Sequence, residues 1–319
     1  MNTTKVRFHL PDFTRHSKLN LVLLNMMKNM PQYFRDGIEI ASFYEVFPPS
    51  MWNGGRTIVG GAVCGEEYIK TALKTFNDKG IPLRFTFTNP AIKEEHLNDE
   101  FCNAVMRLAD NGLNEVIVYS PVLEEYIRKN YPNYKITSST CKRILDESTL
   151  DKELEKDYHI VVVDYALNNK FDILEKLPHK EKCEFLVNSS CIADCPFRSE
   201  EYYMVGEQQI AYCEHIKKHP GKEFRMSDYA KETVNTKIKC PASGTNFFQA
   251  QKLAHHISPD DIWNKYVPMG FNQFKIEGRT ASTLYLIECY MYYLVKPECR
   301  DEARFMFMYN LERNGVIKY

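Results

Sequence analysis

Leu83-Arg84-Phe85-Thr86-Phe87-Thr88 alternates apolar and polar residues without a break. A strand turns successive side chains to opposite faces, so Leu83, Phe85 and Phe87 share one side while Arg84, Thr86 and Thr88 share the other. Seven further β-rich runs, at residues 6–10, 38–44, 115–119, 135–138, 159–163, 184–187 and 273–277, alternate with segments that carry helical periodicity or helix-start chemistry. Eight βα units around a parallel sheet predict a TIM-type (β/α)8 barrel, in which Arg84, Thr86 and Thr88 face the lumen and the apolar partners face the surrounding helices. An open doubly wound sheet competes, but the first strand is not followed by Gly-x-Gly-x-x-Gly and the pattern has no midpoint where it resets.

Helix signals fit this frame. Leu21, Leu24, Met27 and Met30 fall near one helical face, Pro121 opens a helix over 122–129, and Thr149 stands as a cap ahead of Glu153 and Leu154. No repeat or low-complexity linker divides the chain, which reads as a barrel over 1–298 with a cysteine-bearing insertion at 189–258 and a helical tail at 299–319. Some eighty residues separate the seventh strand from the eighth, far more than an ordinary connection. Residues 280–295 read as the closing helix and 300–314 as a tail helix that packs back on the barrel.

Forty-one Lys and Arg against forty-two Asp and Glu give a net charge of -1, so no global positive field holds nucleic acid or anionic lipid. The longest apolar run, 289–295, falls far short of the ~20 residues that cross a bilayer, and the N-terminus lacks the pattern of a signal peptide. The expectation is a soluble, cytoplasmic protein whose ten cysteines are buried thiols plus a metal or redox site.

The eighth strand carries the densest chemistry. In Phe274-Lys275-Ile276-Glu277-Gly278-Arg279, the apolar Phe274 and Ile276 point outward, and Lys275, Glu277 and Arg279 share the inward parity. Three charges inside a small barrel form an internal ion-pair ladder or meet a ligand. Glu277 and Arg279 lie where the strand exits at the C-terminal face, the working end of such barrels, so Glu277, Arg279 and Lys275 are the candidate catalytic residues. Arg56, in the loop Asn53-Gly54-Gly55-Arg56, Glu45 at the end of strand two and Asn89 at the end of strand three are candidates for substrate binding on the same rim. Tyr202 and Tyr203 could stack on an aromatic or nucleobase substrate, or simply pack.

Cys191 and Cys195 leave strand seven in a Cys-x-x-x-Cys spacing, and Cys240 follows in the same connection; Cys195 and Cys240 each precede proline. Three thiols in one connection suit zinc with a fourth donor, or an iron–sulfur cluster. A Cys-x-x-x-Cys-x-x-Cys cluster motif is excluded, because its third position holds Arg198. Cys64 is the preferred fourth ligand. Cys213 is a further candidate, Cys183 falls toward the opposite end, and His255-His256 reads as a helix-surface pair.

On the segment Lys275-Ile276-Glu277-Gly278-Arg279, preceded by Ser258-Pro259-Asp260-Asp261-Ile262 and Met269-Gly270, the chain resembles the collagenase-like peptidase family as a divergent member. That family also contains anaerobic ubiquinone-hydroxylation and tRNA-hydroxylation proteins. Phe185 followed by Cys191 resembles its strand-seven motif, with Asn188-Ser189 in place of His-Gly. The likeness covers about the last 140 residues. It implies a barrel, a 4Fe-4S cluster on Cys191, Cys195 and Cys240, hydroxylation or related modification of a small aromatic or nucleoside-like substrate, and a protein partner of the same family. The alternative is a zinc-stabilised barrel that binds a ligand or peptide without redox chemistry. No Ser/His/Asp or Cys/His set and no His-Glu-x-x-His supports proteolysis.

Overall fold

The structure, a computed structural model, describes residues 5–58, 63–229 and 246–318. Eight parallel strands pair in chain order and close on themselves: β1 (Val6–Pro11), β2 (Ile38–Glu45), β3 (Leu83–Phe87), β4 (Glu115–Val118), β5 (Lys135–Ser138), β6 (Ile160–Val163), β7 (Cys183–Leu186) and β8 (Gln273–Lys275). The chain is therefore a TIM-type (β/α)8 barrel. Helices α1 (Ser17–Asn29), α2 (Glu66–Asn77), α3 (Glu100–Leu108), α4 (Pro121–Asn130), α5 (Glu147–Leu154) and α6 (Phe171–Leu174) fill the successive connections. The long connection after β7 contains α7 (Arg198–Lys218), and a closing helix (Thr283–Leu294) and tail helix (Arg300–Arg313) pack against each other after β8. Among the described residues no helix is long and apolar enough to cross a membrane.

Local chemistry sets the helix starts. Ser120 accepts a hydrogen bond from the Leu123 amide ahead of Pro121, and Ser282 accepts one from the Tyr285 amide at the closing helix. α5 begins earlier than the expected Thr149 cap, because Asp146 supplies the capping oxygen and the Thr149 amide is its donor. In α1 the fully buried residues are Leu19, Asn20, Val22, Leu23 and Met26, whereas Leu21, Leu24 and Met27 are only partly buried. The expected stripe is thus the flank of the core face. His255 and His256 are also not a surface pair: both are buried, His255 Nε2 against the Ser189 carbonyl and His256 beside Tyr292 and Tyr293.

The lumen is polar, and its charges are matched. Arg84 is completely buried; its Nη1 donates to Glu184 of β7 at 2.5 Å, its Nη2 to Thr137 of β5 at 2.9 Å, and its Nε lies 3.0 Å from Glu115 of β4. Glu184 is fully desolvated, which disfavours its charge, but Arg84 and the neighbouring cations prevail and hold it down to about 2. His9 of β1 bonds Ser42 at 2.7 Å and Gln273 at 3.0 Å, and burial keeps its imidazole neutral, with a pKa lowered to about 3. One polar cluster therefore ties β1, β2, β3, β4, β5, β7 and β8 across the barrel axis.

Removing one partner of such a pair leaves a buried charge with nothing to answer it. Arg84→Met should cost about 3–5 kcal/mol in urea unfolding, and adding Glu184→Gln should recover part of the loss. Because the folded-state pKa of Glu184 lies below its ordinary 4.5, the stability it contributes is present above that value and is lost as pH falls through 4.5 toward 2. The Glu184→Gln protein should show a shallower acid-unfolding profile across that window.

Candidate functional site

The C-terminal end of the barrel opens into a cavity of about 510 Å³, within the range of small-molecule sites. Its wall is built where the loop after β2, the exit of β8 and the start of α7 meet. Asn53 is fully buried; its Oδ1 accepts from Thr86 at 3.2 Å and from Arg279 Nη1 at 2.9 Å, and its Nδ2 donates to the Arg56 carbonyl at 2.7 Å. Arg279 Nη2 donates to the Gly54 carbonyl at 2.7 Å and Nη1 to Thr86 at 2.7 Å. Arg56 in turn pairs with Glu277. The exit of β8 and the β2 loop thus clasp each other through two arginines, one contributed by each side.

Glycine makes the clasp possible. A Cβ on Gly54 would sit 2.3 Å from the Thr88 backbone carbonyl, so only glycine lets the loop lie on the end of β3. Gly55 adopts φ +72°, and a Cβ there would approach Arg279 Nη2 at 3.1 Å. α7 presses on the same loop from outside: the buried Gln209 donates to the Ser50 and Ile58 carbonyls and accepts from the Ile58 amide at 2.8 Å.

Lys275, Glu277, Arg279, Arg56 and Cys191 all line this cavity. Lys275 Nζ lies 4.0 Å from the centre of the Tyr44 ring and 3.8 Å from Glu184 Oε1. Burial lowers its pKa to about 8 against the pull of Glu184. The remaining expected binding residues lie behind the wall. Glu45 is buried 3.5 Å from Arg279 Nη1, and burial raises its carboxyl to about 7 despite that cation. Asn89 is fully buried and spends its side chain on the Met51 carbonyl, the Gly206 carbonyl and the Ala91 amide. Both position the rim from outside the cavity and do not line it.

Two groups at the mouth went unread in the sequence. Arg198, the first residue of α7, is buried, ion-paired with Asp164 at the end of β6, and stacked 4.3 Å from the centre of the Tyr165 ring. Asp164 shares the inward parity of Ile160 and Val162, which was the available signal; the arginine comes from another element and left none. Cys141 also lines the cavity, with burial pushing its thiol up.

Of the expected metal ligands, Cys191, Cys195 and Cys64 fall within the described residues, and there they do not form one group. Cys191 is half-buried on the cavity wall and Cys195 is close enough to influence its titration, while burial raises the Cys191 thiol. Cys64 sits before α2, with its amide on the Pro48 carbonyl and its thiol raised to about 11 by burial, and it does not line the cavity. Cys240 lies outside the described residues. Among the described residues no three His, Cys, Asp or Glu side chains form a group fit to hold a metal ion. Cys191 and Cys195 alone do not fit a cluster, which needs four donors, nor a structural zinc site.

No family model matches the chain, and no curated protein matches it in sequence. Among solved structures it is similar to that of the U32 peptidase Mk0906, at a TM-score of 0.50 and 12% identity, over 86% of this chain and 94% of that one. The likeness is one of fold.

The clasp yields a direct test. Gly54→Ala forces the β2 loop off β3 and should cost about 1–3 kcal/mol in urea unfolding, with a matching fall in melting temperature. An alanine at the unobstructed Gly65, where a Cβ meets nothing within 4 Å, should leave stability close to that of the parent protein.

Proposed function

We propose that the barrel mouth is the active site of an enzyme acting on a small polar molecule that carries an acidic group. The observation that carries this reading is the make-up of the cavity wall. Four cationic side chains, Arg56, Arg198, Lys275 and Arg279, line it against two carboxylates, Glu201 and Glu277. Glu277 has one oxygen on Arg56 and a second, Oε2, that is buried without a hydrogen-bond partner among the described residues. An acidic substrate group would compete with Glu277 for Arg56, whose side chain is 42% exposed, and free the carboxylate to move a proton. Arg279, held by four polar contacts, keeps the loop in place and contributes a fixed positive field.

Binding of this kind stabilises the folded state by about 2.7 kcal/mol at a ligand concentration one hundred times Kd. Thermal unfolding against a panel of small carboxylates and phosphate monoesters should therefore find stabilising acids, and Arg56→Ala should abolish the shift. Glu277→Gln fills the same volume and should retain folding while removing turnover. A collapse of its melting temperature would show that the Glu277–Arg56 pair serves the fold rather than turnover and sink the catalytic role of Glu277.

A second reading follows the resemblance. Cys191, Cys195 and Cys240 would hold an iron–sulfur cluster, or a zinc ion, at the rim, in a protein that hydroxylates or otherwise modifies a small aromatic or nucleoside-like substrate with a partner of the same family. Its support is that Cys191 opens onto the cavity with Cys195 on the same loop. It needs Cys240 and a fourth donor other than Cys64. Protein purified without oxygen and assayed for iron, sulfide and zinc separates the two. Stoichiometric iron and sulfide lost in Cys191→Ala favour the cluster; metal-free protein that still binds acids leaves the first reading alone. Peptide hydrolysis is not proposed, because among the described residues the cavity wall offers serines and cysteines but no histidine to activate them.

A further inference from the structure

Lys275 is the last residue of β8 and its side chain lines the cavity. The lysines that serve this fold structurally spend their donors: Lys142 Nζ bonds Glu153 at 2.8 Å and the Tyr158 hydroxyl at 2.9 Å. Lys275 Nζ does not. Among the described residues its neighbours are the Tyr44 ring at 4.0 Å and Glu184 Oε1 at 3.8 Å, beyond hydrogen-bond reach. Glu184 places its Oε2 on Arg84 at 2.5 Å and 3.3 Å from His9, while its Oε1, the atom nearest Lys275, is buried without a hydrogen-bond partner among the described residues, so the two groups face each other without closing a hydrogen bond.

We propose that Lys275 is a nucleophilic amine that forms an imine with a small 2-oxo acid bound at the barrel mouth. The inference rests on the reading of the mouth as a site for acidic ligands and names their class. The deprotonated Nζ adds to the ketone carbon, forming a C–N bond and a carbinolamine. The C–O bond then breaks, and the oxygen departs as water with the two hydrogens the amine has lost, leaving C=N. Atoms balance without an oxidant or reductant. Glu277, on the same cavity wall, is the carboxylate available to carry a proton from nitrogen to the leaving hydroxyl. Arg56, also on the wall and the more exposed arginine, is the cation for the acid's carboxylate, within the fixed field of Arg279 and Arg198.

The electrostatics favour the free amine. Burial, with the Arg84 and Arg279 charges, lowers the Lys275 pKa to about 8, against Glu184 and a smaller opposing effect of Cys141. The Tyr44 ring face, 4.0 Å away, attracts the ammonium and opposes this shift without overcoming it, and the Tyr44 hydroxyl is spent on the Ile276 carbonyl at 2.6 Å. At pH 7, roughly one molecule in ten then carries the reactive amine, against well under one in a thousand for an ordinary lysine.

The test traps the imine on the intact chain. Protein incubated with pyruvate or glyoxylate and sodium cyanoborohydride is digested and mapped by mass spectrometry. The expected result is one reduced adduct per chain on the peptide containing Lys275, with yield rising through pH 8 and lost in K275R. Should K275R fail to fold, the adduct map of the parent protein decides alone. No adduct, or adducts scattered over exposed lysines and unchanged in K275R, overturns the proposal. If pyruvate raises the melting temperature without labelling Lys275, the amine role falls while the acid-binding mouth stands. If it neither binds nor labels, the 2-oxo acid assignment falls, and the wider acid panel decides the mouth independently.

Discussion

A guanidinium sealed inside a β-barrel must be answered by carboxylates at contact distance, and most of this structure's interior follows from that constraint. Arg84 has no exposure, and the desolvation of so large an ion costs several kcal/mol unless it is paired. Glu184 and Glu115 provide the charge and Thr137 a further acceptor, from three different strands. Once Glu184 is held ionised by Arg84, the barrel carries a fixed anion near its centre. Its Oε1 lies 3.8 Å from Lys275 Nζ, too far for a hydrogen bond, and is the nearest carboxylate oxygen to that amine among the described residues.

The same balance continues upward to the mouth in a looser form. Arg279 satisfies its guanidinium mainly on neutral oxygens of Asn53, Thr86 and Gly54, with Glu45 at the edge of contact. Burial raises the Glu45 carboxyl to about 7, so its charge is incomplete near neutrality. The wall consequently keeps more cationic than anionic side chains facing the cavity. The interior is compensated for stability, whereas the rim is left unbalanced where a ligand would enter.

The insertion after β7 completes the rim. α7 brings Arg198 to Asp164 and Tyr165, Gln209 to the β2 loop, and Gly206 against Asn89, where a Cβ would come within 2.1 Å of the amide oxygen. One helix thereby fixes three of the loops that surround the cavity. The loop that carries Cys191 and Cys195 leads directly into it, with the Arg198 amide on the Cys195 carbonyl at 3.4 Å.

Strand alternation was legible in the sequence because period-two patterning is local: Leu83 to Thr88 and Phe274 to Arg279 each announce which side chains turn inward. From it came eight strands, their order, and the inward placement of Arg84, Lys275, Glu277 and Arg279. What each inward residue meets is not local. Glu184 beside Arg84, Asn53 beneath Arg279, and Arg198 across from Asp164 join positions 100, 226 and 34 residues apart, brought together only when the barrel closes. The same closure withdrew Asn89 and Glu45 behind the wall and set Cys64 on another loop, since neither rim depth nor loop direction is written in residue spacing. Sequence determined the fold and the polarity of its lumen; tertiary packing decided which charges are satisfied and which remain available for chemistry.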